Sequence, residues 1–119
     1  MAWKFTADRA VYLQIAQRIE IAVLSGVYPP GGQIPSVRQL ALEAAVNPNT
    51  VQHAFTELEN QGLILSRGTQ GRFVTEDTET IEACRHEMAQ QYVHAFLKDI
   101  RQLGISQEQA IAMIKEANT

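Results

Sequence analysis

The sequence predicts a mainly α-helical fold with one small β-hairpin, arranged as a winged helix-turn-helix domain and a short C-terminal tail of two helices. Two short helical segments joined by a tight turn, then a glycine-containing hairpin, occupy residues 33–74. Capping residues mark the start of both helical segments. Apolar residues at helical spacing then recur as far as residue 114. We therefore expect a winged helix-turn-helix domain over residues 1–76 and a helical tail over residues 77–119.

The bulk composition indicates one compact core with a modest appendage. The chain has 119 residues, of which 45% are hydrophobic and 19% charged, and these fractions are ordinary for a globular protein. The single cysteine, Cys84, excludes an intrachain disulfide. The first residues lack the profile of a signal peptide, and no apolar run has the length of a membrane span. These observations predict a cytoplasmic protein without a membrane partner.

The net charge of −3 conceals an uneven distribution along the chain. Residues 1–75 carry six basic and five acidic side chains, whereas residues 76–119 carry four basic and eight acidic ones. Because salt screens charges that lie farther apart than a Debye length, a local group of arginines in the first segment can still bind phosphate. Net charge therefore does not exclude a nucleic-acid partner.

The N-terminal third of the chain predicts a short arm and a first helix. Trp3 and Phe5 alternate with polar residues, which is typical of an extended arm that lays two aromatic rings on the domain. Over residues 10–25 the apolar side chains recur at helical spacing, and Gly26 ends the pattern. The prolines and glycines of residues 29–32 cannot continue a helix and indicate a turn.

Two capping patterns mark the helices of the predicted helix-turn-helix. Ser36 precedes Gln39 by three residues, which is the spacing of a capping box, so a second helix should begin there. Asn47 suits an N-cap and Pro48 suits the first helical position, so a third helix should begin within a residue of Pro48. Gly62 suits the left-handed position after a helix end. The predicted core faces of the two helices are Val37, Leu40, Ala41 and Ala44, and Val51, Ala54, Phe55 and Leu58.

The opposite face of the third helix is polar but carries little charge. Its amide, hydroxyl and imidazole groups belong to Asn49, Gln52, His53, Thr56 and Asn60. Amides and hydroxyls read base edges in the major groove of DNA, where Asn and Gln can pair bidentately with adenine. An ordinary solvated face is the alternative, although such faces usually favour Lys and Glu. In a helix-turn-helix the composition favours base readout.

A hairpin wing is predicted directly after the third helix. Two β-prone runs, residues 63–66 and 72–75, flank a loop that contains two glycines. Glycines allow the loop to approach a phosphate or enter a minor groove, and Arg67 and Arg72 add positive charge beside it. We expect the loop to contact DNA through Arg67, Gly68, Thr69 and Gly71.

One further pattern links the helices and the wing. It comprises Gly26, Pro30, Gly31, Ile34, Pro35, Ser36, Arg38, Leu40, Ala41, Val46, Asn49, Thr50, Val51, Ala54, Leu58, Gly62, Arg67, Gly68, Gly71, Phe73 and Val74. In order and register, these residues closely resemble the N-terminal domain of GntR-type bacterial transcription regulators, over about two thirds of the chain. In that family the starts of the second and third helices and the wing glycine touch DNA. The resemblance implies DNA contacts by Ser36, Arg38, Asn47, Asn49, Thr50, Gln52, Arg67 and Gly68.

One departure from the family concerns the turn before the third helix. Many members have Ser-Arg where this chain has Asn47-Pro48, and that arginine contacts DNA, so one charge-assisted contact is absent here. The run Asn-Pro-Asn-Thr is similar to the small YtrA-type branch, whose members have only a short helical tail. The resemblance to that branch implies a local repressor, often of transporter genes.

The tail predicts two helices that need a partner. Apolar residues repeat along one side of a long helix over residues 78–103, and Ser106 and Gln109 repeat the capping-box spacing before a last short helix. Two helices alone cannot bury both apolar faces, so we expect a homodimer. A dimer presents two recognition helices about one DNA turn apart and implies a palindromic operator. We expect its interface at Ile81, Met88, Tyr92, Ala95, Phe96, Ile100, Leu103, Ile111 and Ile114.

Other functions of the tail are weaker interpretations. About forty residues are too few to enclose a typical ligand pocket within one chain, although an effector cleft between subunits remains open. His86 and His94 share a helical face, but no Asp or Cys completes a metal site, so neither a metal nor another cofactor is expected. Cys84 lies on the apolar stripe, where a small core residue is favoured over a redox sensor.

The sequence as a whole favours a DNA-binding regulator over an enzyme. It has no P-loop, nucleophile elbow or paired metal motif, and its polar residues follow a helix instead of converging on a pocket. A winged helix used for protein contact is the serious alternative, because fold alone does not fix function. We expect a homodimeric, sequence-specific repressor of transcription that binds double-stranded DNA. The operator, the regulated genes and any inducer do not follow from the sequence.

Overall fold

The computed structural model describes residues 2–117, and its elements follow in the order of a winged helix-turn-helix with a helical tail. Three helices come first, namely α1 (Val11–Leu24), α2 (Val37–Ala44) and α3 (Pro48–Asn60). An antiparallel hairpin follows, with β1 (Ile64–Ser66), a 3-10 turn (Gly68–Gln70) and β2 (Arg72–Val74). The tail contains α4 (Thr78–Gln102) and α5 (Gln107–Glu116). The expected fold class, mainly helical with a small hairpin, is confirmed.

The described residues form two compact units that divide between Ala83 and Cys84. The first unit contains the three N-terminal helices, the hairpin and the start of α4, and the second contains the rest of α4 and α5. The domain bounds expected from the sequence, 1–76 and 77–119, remain a prediction. Within residues 2–117, no helix is both long enough and apolar enough to cross a membrane.

The starts of α2 and α3 are capped as the sequence predicts. Ser36 Oγ accepts a hydrogen bond from the Gln39 backbone N–H at 3.1 Å, and Gln39 Oε1 accepts one from the Ser36 N–H at 2.9 Å. Asn47 Oδ1 accepts from the Asn49 N–H at 2.8 Å, and Pro48 occupies the first turn of α3. These bonds satisfy donors that a helix start leaves without intrahelical partners, so both boundaries are set locally.

The turn between α2 and α3 contains a backbone conformation that the sequence does not predict. Ala45 has φ +59° and ψ +50°, in the left-handed region that alanine rarely adopts. Its N–H and that of Val46 both donate to the Ala41 carbonyl. The three residues after α2 thus change the direction of the chain, and α3 begins at the next residue, Pro48.

The core of the first unit lies mainly between α1 and α3, with contributions from α2 and the hairpin. Its largest fully buried side chains are Ile15, Ile19, Val23, Leu40, Val51, Phe55, Leu58, Leu63, Ile64 and Val74. All four residues predicted for the core face of α3 are completely buried. On α2, Leu40, Ala41 and Ala44 are buried as expected, whereas Val37 is only half-buried. One face of α3 is therefore anchored along its length by apolar contacts.

The hairpin pairs Ile64 with Val74 and Ser66 with Arg72. The segment before α2 extends this small sheet, because the Ile34 N–H donates to the Arg72 carbonyl at 3.0 Å. The Val74 N–H donates to the Gly32 carbonyl at 2.8 Å in the same arrangement. The hairpin is therefore bonded to the segment that leads into α2.

The N-terminal arm lays its aromatic rings on the first unit, as expected. The Arg18 guanidinium of α1 lies 4.0 Å from the centroid of the Trp3 ring, which is within cation-π range. The Phe5 ring lies 6.5 Å from the Trp3 ring, and both side chains are half-buried.

The second unit has almost no buried residues. The predicted capping box at its last helix is present, with Ser106 Oγ accepting from the Gln109 N–H and Gln109 Oε1 accepting from the Ser106 N–H. Of residues 84–117, Ala110 alone is buried. Large apolar side chains are instead exposed at Tyr92, Val93, Phe96, Leu103, Ile111, Met113 and Ile114.

Candidate nucleic-acid interface

The polar face of α3 is open to solvent along its length. Its exposed side chains are Asn49, Gln52, His53, Thr56 and Asn60. The Thr56 hydroxyl donates to the Gln52 carbonyl at 3.1 Å, so this hydroxyl is bonded to its own helix. Because the apolar face is fixed in the core, the amide groups of Asn49, Gln52 and Asn60 face outward from a rigid support.

The start of α3 lies beside the start of α1. The His53 and Tyr12 rings are stacked, with centroids 3.5 Å apart and planes only 8° from parallel. An open hollow at this point is lined by Val11, Tyr12, Asn49, Thr50 and His53. Stacking covers one face of the imidazole and limits its rotamers. Tyr12 is half-buried at the edge of the apolar face of α1, and this position brings its ring to the predicted DNA-binding surface.

The residues assigned to DNA contact at the starts of α2 and α3 are exposed except for Thr50, which is half-buried, and two of them also cap helices. Ser36, Arg38 and Asn47 all face solvent. The Ser36 hydroxyl oxygen and the Asn47 amide oxygen accept backbone hydrogen bonds. A serine hydroxyl can still donate, and an asparagine amide nitrogen has two donors, so both side chains can cap a helix and donate to a phosphate.

The wing presents an open tip. Arg67, Gly68 and Thr69 are exposed, whereas Gly71 is half-buried. Gly68 has φ +58°, and a Cβ atom there would meet no atom within 4 Å. The loop is closed by bonds from the Arg67 N–H to the Gly71 carbonyl at 2.9 Å and from the Gln70 N–H to the Arg67 carbonyl at 3.0 Å. The Arg67 guanidinium lies 4.6 Å from the Phe73 ring centroid, which holds its charge beside the loop.

Arg72 was expected to add positive charge beside the wing loop, as Arg67 does, but its surroundings differ from those of Arg67. Its side chain is only 22% exposed, and its Nε lies 3.8 Å from Glu59 Oε2. The guanidinium also lies 5.0 Å from the centroid of the buried Phe55 ring. Arg72 therefore offers less free positive charge beside the loop than expected, because Glu59 lies close to it and most of its side chain is buried. Composition alone does not reveal a pairing between a helix end and the following strand.

A second contact missed by sequence reasoning joins the wing to the segment before α2. Gln33 Nε2 donates to the Gln70 carbonyl at 2.7 Å, across 37 residues of sequence. No periodicity or spacing rule predicts such a contact. The first unit thus holds α2, α3 and the wing together through the core, the small sheet and this side chain.

The fold and this surface together define a class, the winged helix-turn-helix proteins with an exposed polar recognition helix. Residues 11–74 match the sequence profile of the bacterial regulatory proteins of the gntR family. The chain belongs to the GntR family and is a DNA-binding transcription regulator.

Two curated relatives resemble nearly the whole chain. YhcF of Bacillus subtilis (strain 168), an uncharacterized HTH-type transcriptional regulator, is 32% identical over 112 residues, covering 94% of this chain and 93% of YhcF. YtrA of the same organism, an HTH-type transcriptional repressor, is 33% identical over 107 residues, covering 89% of this chain and 82% of YtrA. The resemblance to YtrA indicated by the sequence is thus found over the tail as well as the DNA-binding domain.

Two solved structures share the fold. A GntR family transcriptional regulator from Listeria monocytogenes has a TM-score of 0.89 and 34% identity, covering 96% of this chain and 100% of that one. The DNA-binding domain of AraR, solved in complex with operator ORX1, has a TM-score of 0.55 and 26% identity, covering 60% of this chain and 93% of that one.

Proposed function

We propose that this protein is a homodimeric repressor that recognises a palindromic operator, with the outer face of α3 in the major groove and the wing against the adjacent backbone. Asn49 and Gln52 supply direct base readout. Arg38 and Arg67 supply positive charge to phosphates. The remaining contacts of the proposed interface come from Ser36, Asn47, Thr50, His53, Gly68, Thr69 and Gly71.

The observation that carries the proposal is the exposed, nearly uncharged face of α3. A solvated face with no binding role gains nothing from a row of amides, whereas amide groups pair with the donor and acceptor pattern of base edges. The buried opposite face fixes the direction in which these amides point. The operator complex of AraR supports the same use of a similar domain.

Dimerisation is supported by the second unit. Its exposed apolar side chains lack a core of their own, and a self-complementary contact with a second copy would cover them. Two half-sites related by a two-fold axis then follow from the symmetry of the protein. We expect interface contacts from Met88, Tyr92, Ala95, Phe96, Ile100, Leu103, Ile111 and Ile114. Ile81, which the sequence also assigned to this interface, is instead buried within the first unit and has almost no free surface to offer a partner.

Repression is the regulatory sense proposed here, because the relative YtrA is a repressor. The first DNA to test for binding is the region upstream of the protein's own gene. The second is the DNA upstream of transporter genes. Binding should be measured on that DNA and on unrelated duplex DNA, each at two salt concentrations. We expect the preference for the upstream DNA to persist as salt rises, whereas phosphate contacts alone weaken steeply with salt.

The Arg38→Ala variant provides the matched test of the assigned surface. Arg38 is exposed, so its loss should weaken operator binding and leave folding intact. Arg101→Ala, which removes one exposed cation from the second unit, is the control for net charge. Equal affinity of the wild type for both DNAs, with no steep salt dependence, would contradict the proposal and favour a winged helix that contacts protein.

A further inference from the structure

Gln33 lies in the extended segment that precedes α2 and runs beside β2. Its backbone forms an antiparallel bridge with Phe73. The bonds from the Ile34 N–H to the Arg72 carbonyl and from the Val74 N–H to the Gly32 carbonyl fix the register on either side. The backbone of Gln33 is therefore held by the sheet, and its side chain starts from a fixed point.

The side chain of Gln33 reaches the wing loop. Its Nε2 donates to the Gln70 carbonyl at 2.7 Å, a short N–H···O distance for a neutral pair. A carbonyl can only accept, so the amide nitrogen and not the amide oxygen must face it. Gln70 is the last residue of the 3-10 turn at the wing tip. The bond thus connects the wing tip directly to the segment that carries Ser36.

Gly71 provides the space for this contact. Its φ of +103° and ψ of −154° lie in a region that is essentially restricted to glycine. A Cβ atom on Gly71 would lie 3.1 Å from Gln33 Nε2, closer than ordinary van der Waals contact. The glycine is therefore needed both for the backbone conformation and for the approach of the glutamine amide.

We propose that Gln33 is a positioning residue that braces the wing loop in the conformation used for DNA binding. The inference rests on the proposed function, since it assumes that the wing contacts DNA. Without the brace, the loop retains the local backbone bonds between Arg67 and Gly71 and between Gln70 and Arg67, and the contact of the Arg67 guanidinium with the Phe73 ring. A looser loop loses more conformational entropy on binding, so operator affinity falls although Gln33 itself need not touch DNA.

The brace can be tested first without DNA. Gln33→Met keeps a similar side-chain length but has no donor, whereas Gln33→Lys keeps a donor. Amide hydrogen exchange at Arg67 and Gln70 should be about three- to tenfold faster in the Met variant, as expected for the loss of one hydrogen bond, and near wild type in the Lys variant. The amides of Val74 and Thr75 serve as controls, because their acceptors are the Gly32 and Leu63 carbonyls. Unchanged exchange at Arg67 and Gln70 would overturn the brace.

Operator binding tests whether the brace acts through the wing. Gln33→Met should weaken operator affinity about three- to tenfold. If Gln33 acts only through the wing, its effect should shrink in an Arg67→Ala background, because that variant has already lost the wing's charged contact. Additive losses would overturn the positioning role. Absence of specific binding by the wild type would contradict the proposed function instead, and the exchange measurement would still decide the brace.

Discussion

On α3, the side chains that stabilise the fold are different from those that we propose to recognise DNA. Val51 and Phe55 have no exposed surface, whereas Gln52 and His53 between them face solvent. A substitution on the outer face removes few packing contacts, so its effect on stability should stay small. The outer positions are therefore where a change in DNA preference can be measured without loss of the fold.

Gln52→Ala should change the sequence preference of the protein. If the amide pairs bidentately with one base, its loss should reduce discrimination at that base pair by about 1–3 kcal/mol and leave the other positions unaffected. The measurement is competition binding against operators that differ at one base pair each. Gln61→Ala is the matched control, because Gln61 is an exposed glutamine beyond the last residue of the same helix. If the Gln52→Ala variant discriminates between base pairs as the wild type does at every position, Gln52 does not take part in base readout.

Ala45→Gly should stabilise the protein. Alanine in the left-handed conformation costs about 1–2 kcal/mol, and glycine avoids that cost but loses more backbone entropy on folding. We expect a net gain of about 0.5–1 kcal/mol in the free energy of unfolding, measured by urea denaturation. In contrast, Ala83→Gly, at an exposed position inside α4, should lower stability by about 1 kcal/mol. A loss of stability in the Ala45 variant would show that the turn conformation carries no strain.

At the level of elements, the helix boundaries were predictable because their causes are local in sequence. The capping boxes at Ser36 and Ser106 and the cap at Asn47 lie within three residues of the donors that they satisfy. The left-handed Ala45 could not be predicted, since the reversal between α2 and α3 imposes it against the residue's own preference. The core face and the outer face of α3 followed directly from helical periodicity.

Contacts between elements were the part of the candidate site that could not be predicted. The pairing of Arg72 with Glu59, the stacking of Tyr12 on His53 and the brace from Gln33 each join separate segments of chain. Such contacts depend on where packing places the elements, and no pattern in a single segment encodes them. These contacts alter the charge and the rigidity expected of the predicted DNA-binding surface. The surface still lies on the face of α3 that the sequence predicted.

The start of α4 should show a pH dependence that originates in Asp77. The Thr80 hydroxyl donates to Asp77 Oδ2 at 2.8 Å, and the backbone N–H groups of Thr80 and Glu79 donate to Oδ1. These hydrogen bonds, with the one from the Thr80 side chain the largest cause, lower the pKa of Asp77 below its ordinary value of 3.8. The ionised carboxylate thus contributes stability that is fully present above the unfolded pKa and is lost as pH falls through the lower folded pKa.

Asp77→Asn isolates this contribution, because asparagine can cap a helix but does not ionise. We expect the difference in Tm between wild type and variant to be constant from about pH 7 to about pH 5 and to shrink below about pH 4. Thermal unfolding followed by circular dichroism measures it. The comparison also removes the parallel effect of Asp8, whose pKa is lowered mainly by a hydrogen bond from Thr6. A difference that stays the same down to about pH 3 would exclude the assigned role of Asp77.

At the scale of the whole molecule, the two units differ in how much of their own apolar surface they bury. The first unit buries a continuous core, whereas Ala110 alone is buried among residues 84–117. Within the second unit, α4 and α5 line an apolar groove with Tyr92, Val93, Phe96, Leu97, Ala110, Ile111 and Ile114. An exposed apolar surface of this kind favours association, and a second copy of the chain is the partner that we propose.

Tyr92→Glu should separate the proposed dimer into monomers. Tyr92 is 54% exposed, so the variant loses little packing within its own chain, but a dimer interface would bury the new charge. Burying an uncompensated carboxylate costs several kcal/mol, so the dimer dissociation constant should rise by roughly 100-fold or more. Sedimentation equilibrium measures this change, and circular dichroism checks that α4 remains helical.

Gln91→Glu is the matched control, since it places the same charge one residue away on a different side of α4. We expect this variant to remain dimeric. The operator then provides a second comparison, because a monomer can occupy only one half-site at a time. Tyr92→Glu should therefore bind a full palindrome no more tightly than an isolated half-site, whereas Gln91→Glu should retain the preference for the palindrome. If both variants dissociated equally, or neither did, the face that contains Tyr92 would not be the interface.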